Sequence, residues 1–288
     1  MRRIGIIGTE NSHVDHFIRL FNREQRYPGN TVVALSGGQS ERNLKLQADG
    51  GIDLIVERPE DLIGKVDAAI TCGRDGRLHR EQSVPLLAAG IPMYVDKPLA
   101  ASVDDAQAII EAARRGKAPL ASGSPLRYVP EIQTLRDNQD GHGPIRHLTV
   151  TGPADPDSEY SGLFFYGIHH VEAALQLLGN PVVEPGSPTV HVSRQDDTTV
   201  ALVRLETVTL TFAFVRPGQD GNRVPFHAVL TGTRGVQASP LTLGPEYSVP
   251  VAENFLEVWE RGTPPAAPEQ LVSPVALMES IVRQGSRR

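Results

Sequence analysis

Five short apolar runs, at residues 4–7, 31–35, 54–56, 68–71 and 93–95, alternate with stretches of helical spacing across the first 122 residues. In the first such stretch Val14, Phe17, Ile18 and Phe21 recur three and four apart, which sets them on one helical face. Residues 80–89 and 103–114 carry further helical patterns, and residues 119–122 read as a sixth strand. Strands that alternate with helices are joined by crossovers, and crossovers build a parallel sheet. The predicted first domain, residues 1–122, is therefore an α/β, doubly wound parallel sheet that opens strand, turn, helix, as Rossmann-type dinucleotide-binding domains do.

The remaining residues, 123–288, change character. Residues 145–151, 198–205, 208–215 and 226–232 show β-branched alternation with few long helices between them, the pattern of an open, mainly antiparallel sheet with one exposed face. One helical stretch, 163–178, carries His169, His170 and Glu172, and a further helix is expected at 275–282. This predicts an α+β domain for substrate binding and oligomerisation, with the C-terminal helix packing back on the first domain.

Composition narrows the function. The chain has 288 residues and a formal net charge of -6, and no dense Lys/Arg run appears before the short Arg287, Arg288 tail, so nucleic acid is not an expected partner. No apolar run approaches the ~18 residues of a membrane span, and the first residues carry no signal-peptide pattern. Cys72 is the only cysteine, which precludes an internal disulfide and fits a reducing cytoplasm.

The fifth apolar run ends on Asp96, Lys97 and Pro98. A lysine at the carboxyl end of a buried strand sits where open α/β sheets bind ligands, which makes Lys97 the first candidate for chemistry. Cys72, with Gly73, Arg74, Asp75 and Gly76 after it, ends the fourth strand at the same edge, and His79 follows.

The strand-turn-helix start, Leu78 with His79, Asp96-Lys97-Pro98, and Gly167-Ile168-His169 leading into Leu177-Leu178-Gly179 resemble, in order and spacing, the glucose-fructose oxidoreductase and inositol dehydrogenase (Gfo/Idh/MocA) family. The resemblance runs almost end to end. It implies an oxidoreductase that binds NAD or NADP and moves a hydride to or from a sugar, polyol or related hydroxy compound. It also implies homodimers or homotetramers formed through the open sheet. By the same resemblance Lys97 lies near nicotinamide and substrate, and His169 is the proton acceptor. Gly8, Thr9, Glu10, Asn11, Ser12, His13, Ser36, Arg42, Cys72, His79 and Lys97 are then the expected cofactor contacts, and Arg127, Tyr166 and His170 the expected substrate contacts. No metal is expected.

A neutral histidine suits the removal of a proton near pH 7, a lysine stabilises charge growing on an oxygen, and Glu172, one turn beyond His169, is placed to orient the imidazole. Two departures weigh on this picture. The phosphate-loop pattern G-x-G-x-x-G keeps Gly8 but has Glu10 and His13 at its other two positions, where a carboxylate repels a pyrophosphate; Asn11 or Ser12 still offers a helix cap. Phe165 stands where the family has an aspartate four residues before the histidine. After the second strand Ser36, Gly37 and Gly38, with Arg42 close behind, favour NADP over NAD. Two rivals stay open: a lyase or isomerase using Glu10, Lys97 and His169, and a non-catalytic sensor. A metal cluster of Glu10, His13, His16, His79 and His169 ranks below the nucleotide reading.

Overall fold

The computed structural model describes residues 1–218, 222–262 and 267–286, so the Arg287, Arg288 tail lies outside the described residues. The chain divides into two compact units. Met1–Ala100, Asp104–Gly123 and Ser248–Ala267 make the first, and Ala101–Val103, Ser124–Tyr247 and Pro268–Arg288 the second.

The first unit runs β1 (Arg2–Ile7), α1 (His13–Ile18), β2 (Asn30–Ser36), α2 (Ser40–Gly50), β3 (Leu54–Val56), β4 (Ala68–Thr71), α3 (His79–Ala88), β5 (Met93–Asp96), α4 (Val103–Gly116) and β6 (Leu120–Gly123). All six strands are parallel, in the order β3-β2-β1-β4-β5-β6. The order reverses between β1 and β4, and the crevice beyond the carboxyl ends at such a reversal is the binding position of open α/β sheets. Ile4, Ile6, Val32, Leu35, Ile70 and Val95 are wholly or almost wholly buried. Continuous burial along a strand requires cover on both faces, which is why these strands read as unbroken apolar runs.

The second unit contains α5 (Pro130–Asp137), α6 (Gln139–His142), β7 (Ile145–Pro153), α7 (Leu163–Tyr166), α8 (Ile168–Leu177), β8 (Thr189–Gln195), β9 (Thr198–Leu205), β10 (Val208–Val215), β11 (Phe226–Gly232) and β12 (Val236–Leu241). Its sheet has the order β12-β11-β7-β10-β9-β8, with only the β7 and β10 neighbours parallel. Leu148, Val150, Val203, Leu210, Phe212, Phe214, Ala228 and Leu230 bury one face. The other face, with His147, Thr149, Thr211, Val229 and the exposed Leu202, is partly open, and the expected mainly antiparallel, half-open sheet is present.

Three differences from expectation have physical causes. The helix expected over residues 163–178 is two helices that meet at Gly167, where a Cβ would come within 2.5 Å of the Leu163 carbonyl oxygen. The edge strands β8 and β12 were not anticipated, because edges carry polar residues, and β12 a proline, where an inner strand carries apolar ones. The helix α9 (Val249–Arg261) belongs to the first unit, where Phe255 meets Tyr94 at 6.5 Å between ring centroids. The last helix, α10 (Pro268–Gly285), packs within the second unit on α8 and β8 through Val275, Ala276, Met278 and neighbouring buried residues. Among the described residues no helix is long and apolar enough to cross a membrane.

Candidate functional site

At the carboxyl edge of the first sheet the turn after β1 is held backbone to backbone. Gly8 has φ +76°, and a Cβ there would lie 2.7 Å from the Gly73 nitrogen and 2.8 Å from its Cα. Only a residue without a side chain tolerates both the left-handed conformation and that approach. Thr9 is fully buried, and its hydroxyl bonds the Asn43 side chain, whose Nδ2 donates to the Gly37 carbonyl at 2.6 Å. The turns after β1 and β2 are thereby tied together.

Glu10, at the second glycine position, turns its carboxylate to the neighbouring loop, where Oε1 accepts the Arg74 N–H at 3.0 Å. Asn11 Oδ1 accepts the His13 N–H at 3.3 Å, whereas Ser12 makes no side-chain cap bond. His13 replaces the third glycine and sets Nδ1 2.7 Å from Asp96 Oδ2. Burial by itself would raise the Asp96 carboxyl, but the charge and hydrogen bond of His13, with Lys97 beside it, outweigh burial and hold it below the usual carboxylate range. Lys97, 3% exposed, follows on the same turn.

The side chains of four expected cofactor contacts are engaged elsewhere or enclosed. Arg42 is not free for a 2'-phosphate: it donates to the carbonyls of Thr9 and Asn11 and pairs with Asp15 at 2.6 Å. Its guanidinium binds the phosphate loop's own acceptors. His79 is fully buried, with Nδ1 2.7 Å from the Pro98 carbonyl and Nε2 3.0 Å from the Gly73 carbonyl, so it links the turn after β5 to the loop after β4. Cys72 is fully buried just beyond β4, and burial pushes its thiol well above the ordinary range. The Ser36 side chain is likewise enclosed. Sequence pattern placed these four at the right edge without showing which way each side chain points. Nor do Glu10, His13, His16, His79 and His169 make a metal centre: among the described residues no three His, Cys, Asp or Glu side chains are grouped to hold an ion.

In the second unit α8 presents His169, 4% exposed, with Nδ1 2.6 Å from the hydroxyl of Ser124. Ser124 is fully buried and its oxygen also accepts the Leu126 N–H at 3.0 Å, so the serine that holds the imidazole is itself fixed. Sequence reasoning gave that role to Glu172. Glu172 instead pairs with Arg127 at 2.6 Å, and Arg127 also donates to Asn180. Both partners of the pair are nearly buried, so Arg127 is committed inside the unit and is not the expected substrate contact. Ser124 lies 45 residues before His169, and no local pattern links them.

Tyr166 keeps a place in the site, its ring 5.4 Å from that of His169 and its hydroxyl accepting from Arg223 at 2.6 Å. His170 does not. It is fully buried between Phe214 and Phe226, at 4.8 and 5.2 Å, and although backbone groups of Gly152, Tyr166, Gly167 and Ala213 lie near it, among the described residues neither ring nitrogen has a partner in good hydrogen-bond geometry. Burial lowers its pKa from 6.5 to about 4. The unfolded chain therefore takes up this proton first as pH falls, and stability is lost between pH 6.5 and about 4. At ~1.36 kcal/mol per pKa unit the loss totals about 3 kcal/mol at the acid end. His170→Leu should flatten this slope in urea unfolding compared at pH 7 and pH 4.5; a wild-type acid slope kept by the variant would assign it to other groups.

Comparison with known proteins places these features. Residues 2–124 match the family model GFO_IDH_MocA, described as an oxidoreductase family with an NAD-binding Rossmann fold. The chain is 30% identical over 138 residues to 1,5-anhydro-D-fructose reductase of Ensifer adhaerens, covering 48% of this chain and 40% of that protein. It is 30% identical over 215 residues to inositol 2-dehydrogenase 1 of Saccharopolyspora erythraea, covering 69% of this chain and 60% of the relative. The chain thus spans about half the length of the curated relatives it matches. Among solved structures, GenD2 from gentamicin A biosynthesis, in complex with NAD, superposes with a TM-score of 0.83 over 99% of this chain and 94% of that one, at 16% identity. For myo-inositol 2-dehydrogenase from Lactobacillus plantarum the TM-score is 0.79 over 98% and 96%, at 16% identity. These two likenesses concern the fold. With the sheet order, the phosphate-loop turn and the Asp-Lys-Pro edge in place, residues 2–124 of this chain belong to the Gfo/Idh/MocA oxidoreductase family, with its NAD-binding Rossmann fold.

Proposed function

We propose that the protein is an NAD(P)-dependent oxidoreductase that moves a hydride to or from a sugar, polyol or related hydroxy compound. The observation that carries this reading is the Glu10 carboxylate, taken up by the Arg74 N–H. Gly8 and the Gly73 backbone form a turn too close for any side chain, and the charge that would oppose a pyrophosphate is bonded to a neighbouring turn. The same bond disfavours the lyase or isomerase reading, which needs Glu10 as a proton carrier. The Gly8 N–H donates to the Ser36 carbonyl at 3.0 Å and shapes the turn, so the backbone N–H groups of Thr9, Asn11 and Ser12 would hold the cofactor's phosphates, and Gly37 its adenosine ribose. When bound, the nicotinamide supplies or accepts the hydride.

The chain's own residues handle the proton and the oxygen. Lys97 stabilises negative charge growing on the substrate oxygen. His169 takes the hydroxyl proton, and Ser124 fixes the rotation of its ring. The engagement of Arg42 by Thr9, Asn11 and Asp15 removes the argument for NADP, and NAD(H) becomes the first cofactor to test. The partly open face of the second sheet is offered for pairing into a homodimer or homotetramer, and the buried, unpaired Cys72 accords with a reducing cytoplasm. Titrating the purified protein with NADH and with NADPH, read by cofactor fluorescence and thermal stabilisation, should give saturable binding, tighter for NADH. No binding of either up to millimolar concentration would refute the redox reading.

A further inference from the structure

A pocket within the second unit lies beside the proton acceptor just proposed. It is lined by Pro153 and Ala154 at the end of β7, by Phe165 and Tyr166 of α7, and by Asp155, Ser158 and Arg223 among others. Its volume is about 130 Å³. A cavity of roughly 150 Å³ takes up benzene, so this one admits a single ring or the end of one, and excludes a nucleotide. Tyr166 lines it and also stands edge to face with His169 at 5.4 Å, so an occupant sits one aromatic ring from the imidazole.

The charges at its rim are unequal. Asp155 is neutralised by Arg216 at 3.2 Å, and Asp157 nearby is shared by Arg194 and Arg216. Arg223 donates to the neutral Tyr166 hydroxyl at 2.6 Å and lies over that ring at 5.1 Å. Among the described residues no carboxylate pairs with it. The pocket thus offers a guanidinium and a phenol hydroxyl at one end and the Phe165 ring at the other. A guanidinium fork matches a planar carboxylate in two parallel hydrogen bonds, and an apolar ring packs on the C–H face of a sugar. Phe165, which stands where the family's carboxylate would be, removes a repulsion that an anionic substrate would otherwise meet.

Resting on the oxidoreductase reading for its reaction but not for its binding, we propose that this pocket is a subsite for a carboxylate-bearing sugar, a uronic or aldonic acid, with the carboxylate on Arg223 and Tyr166. The test is binding to the full chain, measured by calorimetry or ligand-observed magnetic resonance without cofactor, for D-glucuronate, D-glucose and D-glucose 6-phosphate. Glucuronate should bind roughly ten- to a hundredfold more tightly than glucose, the range for a hydrogen-bonded charge. Arg223→Gln should erase that preference in a variant that still unfolds cooperatively, and Tyr166→Phe should reduce it. Equal binding of glucuronate and glucose, a preference that survives Arg223→Gln, tighter binding of glucose 6-phosphate, or no binding of any probe would each overturn the assignment. Because no cofactor enters, a protein that binds glucuronate but not NADH would lose the redox reading and keep the subsite.

Discussion

Replacing His169 with glutamine should lower kcat by about 10²- to 10⁴-fold, the range for removing a positioned general acid or base. NADH affinity should change little, because the imidazole acts on the substrate proton and the phosphates are held by the loop after β1. Lys97→Ala should cost a comparable factor by withdrawing charge from the reacting oxygen. Steady-state kinetics on the first hydroxy compound found to reduce NAD, with NADH titrations alongside, check both. Full activity in either variant would remove that residue from the mechanism. A sensor, which has no turnover to lose, would show no hydride transfer in the wild type either.

The second large effect concerns Gly8. Gly8→Ala imposes a left-handed conformation, worth ~1–2 kcal/mol for an L-residue, and also drives a methyl into the Gly73 backbone. Both obstructing atoms are main chain, so no side-chain rotation relieves the contact, and the loops after β1 and β4 must separate. Expected are a loss of about 3 kcal/mol or more in stability and at least a tenfold loss in NADH affinity. Gly29→Ala is the control: its φ is +86°, and nothing lies within 4 Å of the added carbon, so it incurs the conformational cost alone. Urea unfolding and cofactor titration of the two variants separate the contributions. If Gly8→Ala behaves like Gly29→Ala, the close approach does not shape the site.

What could be read ahead divides along physical lines. The parallel sheet was visible because the central residues of β1, β2, β4 and β5 are covered on both faces and are apolar, with the polar residues confined to the strand ends. Lys97 and His169 could be singled out because each sits in a short ordered motif, and both side chains are buried in the structure. Direction of a side chain was not visible. Arg42 and Arg127 looked like anion binders, and both are consumed within their own unit, one by loop carbonyls and one by Glu172. Glu10 looked like an obstacle to phosphate and bonds a neighbouring turn instead. Ser124 and Arg223 were missed for the opposite reason: each meets its partner across a long stretch of chain, which periodicity within a window does not register.

The late arrival of α9 bears on how the protein is made. During synthesis the six parallel strands leave the ribosome first, yet the helix whose Phe255 covers Tyr94 is encoded after the entire segment Ser124–Tyr247. At ordinary elongation rates that gap lasts roughly 10 s. Throughout it the nascent nucleotide-binding sheet keeps an apolar flank uncovered beside β5 and β6, so the first unit, although it begins the chain, is completed only after the sheet of the second has been translated.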